Sequence, residues 1–106
     1  MSVDPIEVRL ATTPQAPALA RTFVTELMAH SGVDADQMDN VRIVVSDIAT
    51  ALIETSQPVN LSADLADDAI TFRGKCPIEL PSTGGLLLGQ AMTVENGEWA
   101  IRLPLV

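Results

Sequence analysis

The chain has 106 residues, 47% of them hydrophobic, which is enough for one domain with a core but not for two. Fourteen acidic residues against six basic ones give a net charge of −8, and the basic residues form no cluster in the sequence. Because contacts to phosphates need positive charge, this composition disfavours direct binding to DNA or RNA. We expect a single domain, 1–106, whose acidic surface serves solubility or a basic protein partner.

The chain shows no sign of export or membrane insertion. Its first ten residues, MSVDPIEVRL, have neither a cationic start nor an apolar stretch, so no signal peptide is expected. No uninterrupted apolar run approaches the roughly 20 residues of a membrane-spanning helix. The single cysteine, Cys76, cannot form an internal disulfide, which fits a reducing compartment. We therefore expect a cytosolic protein.

The first 32 residues predict a strand followed by a helix. Apolar and polar residues alternate over 6–10, as in a half-buried strand. Thr13 as N-cap and Pro14 at the first helical position predict a helix that runs to about His30 and ends at Gly32. The expected buried face of this helix consists of Leu19, Phe23 and Leu27, with Ala16 and Ala20 beside them.

The second helix is predicted to be the longer one. Asp34 and Gln37 have the spacing of a capping box, and the helix should continue to about Ser56, where Gln57-Pro58 stops it. Its apolar residues recur at steps of four, three and four, which is typical of an amphipathic helix. These residues are Val41, Val45, Ile48 and Leu52.

The rest of the chain predicts two hairpins separated by an irregular segment. Strands over 59–65 and 69–73 are expected to pair around the turn at 66–68. The segment 84–92 resembles a short third helix that is apolar enough to be largely buried. Asn96-Gly97 then predicts a type I′ turn between strands at 93–95 and 99–103.

The predicted element order is therefore β-α-α-β-β-α-β-β. This order favours an α+β fold, a two-layer sandwich with a mainly antiparallel sheet and the helices on one face.

Two phrases of this sequence resemble the bacterial anti-sigma factor serine kinases, which belong to the histidine-kinase-like ATPases with the Bergerat fold. One is APALARTFVTEL at 16–27, and the other is VVSDIATA at 44–51, which follows the acidic start of helix two. The resemblance spans roughly 8–105 in element order and pattern. It implies a Bergerat fold and a nucleotide site built from three motifs.

The first family motif, Ser-Glu-x-x-x-Asn, lies on helix two, where the Glu helps to activate the reacting hydroxyl and the Asn coordinates Mg²⁺. Asp47 stands at the Glu position and Ala51 at the Asn position. A methyl group cannot bind Mg²⁺, which needs oxygen ligands. The resemblance therefore implies a lost metal site, with Asp47 as the one carboxylate still in place for catalysis.

The other two family motifs are an Asp-x-Gly-type turn after the third strand, whose Asp recognises adenine, and a Gly-rich turn that holds the phosphates. The first corresponds to 72–77, FRGKCP, which contains no carboxylate. The second is matched best by Gly84 and Gly85, with Gly89 further on, although ordinary turn chemistry also explains glycines at these positions. The segment 77–83 before them is short for a lid over ATP.

Few other residues suggest chemistry. His30 has no serine or cysteine partner at a recognisable spacing, and a solvent-facing position at the end of helix one explains it. Arg73 and Lys75 could lower the pKa of Cys76 and make its thiol reactive, but a half-buried loop cysteine is the favoured interpretation. No group of His and Cys residues has the spacing of a zinc site.

The leading hypothesis is a non-catalytic regulator that resembles an anti-sigma factor and acts by binding protein, with a decayed ATP site and no cofactor. The first alternative is an active ATP-dependent serine kinase that uses Mg²⁺, with Asp47 as base and the segment from Gly84 to Gly89 holding phosphate. The second is a domain that binds another small ligand in the vacated cleft.

The resemblance implies three classes of partner: a sigma factor, an anti-sigma antagonist or a sister kinase subunit. The apolar segments 86–92 and 103–106 hold more hydrophobic surface than a small domain buries, so we also expect a symmetric homodimer.

Overall fold

A computed structural model of the chain describes residues 5–105. Five strands and three α-helices follow one another in the predicted order, with a single 3₁₀ turn after the last helix. Their bounds are β1 Ile6–Leu10, α1 Ala16–Ala29, α2 Ala35–Glu54, β2 Val59–Leu65, β3 Ala69–Lys75, α3 Thr83–Leu88, the 3₁₀ turn Gly89–Ala91, β4 Met92–Glu95 and β5 Glu98–Pro104.

The strands form one five-stranded antiparallel sheet in the order β1-β2-β3-β5-β4. Alternation along each strand sends apolar side chains to one face, where they form a core with α1 and α2, and polar side chains to the other. The expected α+β two-layer sandwich with helices on one face of the sheet is therefore confirmed. Both predicted hairpins form, and Asn96 and Gly97 have the positive φ angles of a type I′ turn.

Helix α1 begins later than the sequence indicates, and its predicted buried face is confirmed only in part. Its N-cap is Gln15 rather than Thr13, and Pro17 instead of Pro14 occupies its first turn. The buried residues are Ala16, Ala20, Val24 and Met28, whereas Leu19 is 51% exposed and Phe23 and Leu27 are half-buried. Ala16 and Ala20 are therefore buried as predicted, and Val24 and Met28 complete the buried face while the predicted larger side chains lie toward the edges of the contact.

Helix α2 agrees closely with the prediction. All four residues of its predicted apolar stripe are buried, together with Val44 and Ala49. The Asp34 side chain caps the helix by accepting a hydrogen bond from the Asp36 backbone N–H at 3.1 Å, so the cap is present without the expected partner at Gln37. The helix ends at Glu54, and Ser56 adopts a left-handed conformation before Pro58.

The third helix is shorter and less buried than expected. It ends at Leu88, and Met92, assigned to the helix from sequence, instead opens strand β4. Only Gly84 and Leu88 of this helix are buried, while Leu86 is 82% exposed. A six-residue helix can turn only one side toward the core, so its apolar composition does not translate into burial.

The largest fully buried side chain, Trp99, packs directly on the backbone of the neighbouring strand. Trp99 on β5 lies opposite Gly74 on β3. A Cβ atom at position 74 would come within 2.6 Å of three atoms of the indole ring, closer than real contacts permit. Glycine is therefore required at this position because it leaves room for the ring.

Substituting Gly74 with alanine should destabilise the fold by about 1–3 kcal/mol, since the rigid, enclosed indole must move to admit a methyl group. Chemical denaturation followed by fluorescence will measure this, because Trp99 is the only tryptophan in a chain without tyrosine. Gly85→Ala is the matched control: no atom lies within 4 Å of its added methyl. That variant should be neutral or more stable by about 0.5–1 kcal/mol, the usual gain from alanine in a helix. Equal effects of the two substitutions would contradict this account of position 74.

Candidate functional site

Asp47 and Ala51 lie one turn apart on the face of α2 that also carries Asn40 and Val44. Helix α3 covers the first part of this face. The Asn40 side-chain amide donates to the Leu87 carbonyl at 3.4 Å, and Val44 lies beside Gly84. Asp47 and Ala51 follow further along the same face and are both half-buried. The two positions that the resemblance assigned to catalysis and metal binding are thus brought together.

Asp47 lines a cavity of about 610 Å³ together with Asp39, Ser46 and two basic residues, Arg21 and Arg42. Within residues 5–105 it makes no hydrogen bond or ion pair. The same part of the chain contains no group of three or more His, Cys, Asp or Glu residues able to hold a metal ion. Together with the methyl group of Ala51, this arrangement does not fit Mg²⁺ coordination.

The segment after β3, where the family motif places the adenine-binding Asp, is held against the domain by its own contacts. Lys75 is exposed at the end of the strand. The Cys76 backbone N–H donates to the Gly97 carbonyl at 2.8 Å, which ties the segment to the turn of the last hairpin. Ile78 and Leu80 then pack on the core. No carboxylate occurs between Phe72 and Ile78.

The three glycines proposed for phosphate binding differ in what surrounds them. A Cβ on Gly84 would lie 2.1 Å from the Met92 sulfur, so this glycine permits the close approach of α3 and β4. Gly89 ends α3 with a φ of 53°, a conformation that favours glycine. Gly85 and Gly89 are both exposed with open space around them, but Gly85 has no such backbone requirement. Gly84 and Gly89 therefore have a structural explanation that does not involve a nucleotide.

Three cavities formed by residues 5–105 stand out, and one of them is the cavity beside Asp47. None of the three is lined by Ala51 or by the three glycines. Two of the three lie on the open face of the sheet, opposite the helices. Analysis of the sequence missed this face because its basic residues are far apart in the chain and only strand pairing brings them together.

No helix in the part of the chain that the structure describes is both long and apolar enough to cross a membrane.

The fold of this chain is similar to that of a bacterial protein of known structure. It matches the crystal structure of the RsbU and RsbW domains of Rv1364c from Mycobacterium tuberculosis with a TM-score of 0.71 and 17% sequence identity. The match covers 97% of this chain and 32% of that chain. At this level of identity the likeness shows a common fold, in agreement with the fold class predicted from the sequence. No protein-family model matches the chain, and no curated protein matches it.

The free thiol of Cys76 is protected. The residue is 4% exposed, and burial raises the pKa of its thiol. The sequence-based alternative, in which Arg73 and Lys75 lower this pKa, is therefore wrong. The thiolate is the reactive form, so both effects slow its reactions.

Native Cys76 should therefore react with a disulfide reagent at pH 7 at least about tenfold more slowly than the same cysteine in denatured protein, because thiolate content and access are both reduced. Absorbance of the released thiol measures both rates. The native rate should continue to rise above the pH at which an ordinary thiol has fully ionised, since the raised pKa delays thiolate formation. Fast reaction at pH 7 in the native state would contradict this assignment.

Proposed function

We propose that this chain is a non-catalytic regulator of the anti-sigma factor type, which acts by binding another protein and whose nucleotide site has decayed. One observation carries the proposal. Ala51 places a methyl group on the α2 face where the family has its Mg²⁺-binding Asn, and within residues 5–105 no group of three or more His, Cys, Asp or Glu residues could hold a metal ion instead.

The region where adenine would bind supports the same interpretation. The family's Asp-x-Gly-type turn corresponds to residues that end in exposed Lys75 and buried Cys76. An ammonium group cannot accept a hydrogen bond from the adenine amino group. Ile78 and Leu80 pack against the core, so the chain's own side chains fill space beyond β3.

The phosphate-binding part is also reduced. The helix that would present backbone N–H groups to phosphates has only six residues, and its first glycine is packed against Met92. A domain that keeps this fold but lacks the contacts to the metal, to adenine and to the phosphates is best explained by a function that depends on its surface.

The family resemblance and the common fold favour a sigma factor, an anti-sigma antagonist or a sister kinase subunit as partner, in the cytosol. The helical layer suits a basic partner surface, since α1 and α2 with their connection carry six acidic residues and two basic ones. Pairwise binding assays against these three classes of protein from the same organism test this part of the proposal.

ATP and ADP at millimolar concentration should leave the melting temperature unchanged to within about 1 °C, with or without Mg²⁺. Ligand at a hundred times its Kd would stabilise the fold by about 2.7 kcal/mol, which corresponds to several degrees for a domain of this size. Thermal shift followed by Trp99 fluorescence measures this.

Ala51→Asn is the sharper variant, because it restores the missing amide oxygen without touching the rest of the site. Nucleotide should leave the melting temperature of this variant unchanged as well, since the adenine contact is also absent. A Mg²⁺-dependent shift in the wild type would support the active kinase, with Asp47 as base. A shift gained only by Ala51→Asn would show that the nucleotide cleft is otherwise intact and would contradict a fully decayed site. Saturable binding of a non-nucleotide ligand in the cleft beside Ala51 would favour the small-ligand alternative.

We also propose that the chain forms a homodimer through its exposed apolar side chains near α3. Leu86, in the segment 86–92 for which surplus hydrophobic surface was inferred, is 82% exposed, and Val94 on the strand that follows is 53% exposed. In the other segment, 103–106, Leu103 is buried, contrary to that expectation, and Val106 lies outside the described residues. Leu86→Lys should shift the protein toward monomer in sedimentation velocity at about 50 µM, a range typical of such contacts. Leu19→Lys, which adds the same charge to an exposed leucine on α1, should leave the dimer intact. A wild-type protein that is monomeric at this concentration removes the proposal.

A further inference from the structure

The basic residues of this acidic chain are concentrated on the open face of the sheet. Arg9, Arg73, Lys75 and Arg102 alternate with the core residues of their strands and therefore project away from the helices. Four acidic residues share this face, which leaves it without net charge; they are Glu7, Asp64, Glu95 and Glu98. The rest of the chain, with two basic and ten acidic residues, carries the entire charge of −8.

Strand pairing arranges part of this face into two rows across the sheet. Arg9 lies opposite Asn60, and the register between β2 and β3 places Asn60 opposite Lys75. In the adjacent row Ser62 lies opposite Arg73. Neighbouring strands are about 4.8 Å apart, so Arg9 and Lys75 start roughly 10 Å from one another with Asn60 between them. Both have long, flexible side chains that can converge above it.

The two rows line an open cavity of about 530 Å³. Its charged lining consists of three cations, Arg9, Arg73 and Lys75, and two carboxylates, Glu7 and Glu98, with the polar side chains of Asn60 and Ser62 between them. The lining therefore carries one more positive than negative charge, in a protein whose net charge is −8.

The hydrogen-bonding capacity of this cavity is largely unused. Arg73 forms an ion pair with Asp64, and Arg102, outside the cavity, pairs with Asp68. Within residues 5–105, neither Arg9 nor Lys75 has a carboxylate within 4.0 Å, and the Asn60 and Ser62 side chains make no hydrogen bond. Four side chains around this cavity therefore have donors without a partner in the described residues. They are the guanidinium of Arg9, the ammonium of Lys75, the amide of Asn60 and the hydroxyl of Ser62.

We propose that this cavity binds an oxyanion group, a phosphate or a carboxylate, between Arg9 and Lys75 and above Asn60 and Ser62. Arg9 can hold two oxygens through its planar fork, and Lys75 acts as a point charge from the opposite side. Asn60 and Ser62 donate from below. The site lies on the face of the sheet away from the helices and is independent of the decayed nucleotide site beside Ala51.

Two carboxylates restrict what can bind. Glu7 and Glu98 also line the cavity, one near each end of its rows, and would repel a second negative group. The site therefore suits a single oxyanion with neutral or cationic neighbours rather than a polyanion such as nucleic acid. This agrees with the low density of positive charge in the chain as a whole.

Titration of the full chain with inorganic phosphate tests the proposal, with amide chemical shifts as the readout and sodium chloride at matched ionic strength as the reference. Saturable changes should centre on residues 9, 60, 62 and 75. Arg9→Gln and Lys75→Gln should each weaken the binding at least tenfold, because each removes a charge-assisted contact. Arg42→Gln removes a cation from α2 that is paired with Asp39, and should leave the affinity unchanged.

Glu7→Gln and Glu98→Gln provide the opposite test. Removing either carboxylate should tighten phosphate binding several-fold, whereas Glu54→Gln at the end of α2 should have no effect. Changes that sodium chloride reproduces, or an equal loss in Arg42→Gln, would show only general charge screening and overturn the proposal. ATP also carries phosphate, so it could raise the melting temperature by binding at this site. A Mg²⁺-independent rise that disappears in Arg9→Gln belongs to the oxyanion site and not to a nucleotide site beside Ala51. The two proposals can therefore be tested separately.

Discussion

The packing of the Trp99 indole on Gly74 is the contact on which the second half of this domain depends. It joins the end of β3 to the start of β5, and both residues are buried. The hairpin that carries Trp99 in turn holds the segment after β3 through the bond between the Cys76 N–H and the Gly97 carbonyl. A large rigid ring placed on a residue without a side chain thus fixes the position of a segment that has no regular structure.

The same arrangement affects the region that the sequence resemblance assigns to nucleotide binding. With the segment after β3 held down, Ile78 and Leu80 contribute to the core. Helix α3 lies close against β4 and α2, because Gly84 has no side chain to separate them. These contacts stabilise a small domain, for which every buried apolar group is a substantial part of the total stability.

Charge separates the two faces of the domain. The helical layer is acidic, and the open face of the sheet carries four of the six basic residues with no net charge. These surfaces suit different binding partners, since electrostatic complementarity determines which ones can approach. The proposed protein partner and the proposed oxyanion can therefore occupy the chain at the same time, on opposite sides of the sheet.

The order of the elements, the α+β class and the buried stripe of α2 could be predicted from the sequence, because local periodicity, helix caps and the Asn-Gly turn report directly on backbone conformation. The alanine at position 51 is likewise a chemical fact that no tertiary contact can alter. The complete buried face of α1, the limited burial of α3 and the enclosure of Cys76 appear only when helices and strands pack together. Strand pairing in the same way brings Arg9, Asn60 and Lys75 into one row. Those features depend on which strands and helices come together, and residues separated by about 50 positions along the chain carry no local signal of their contact.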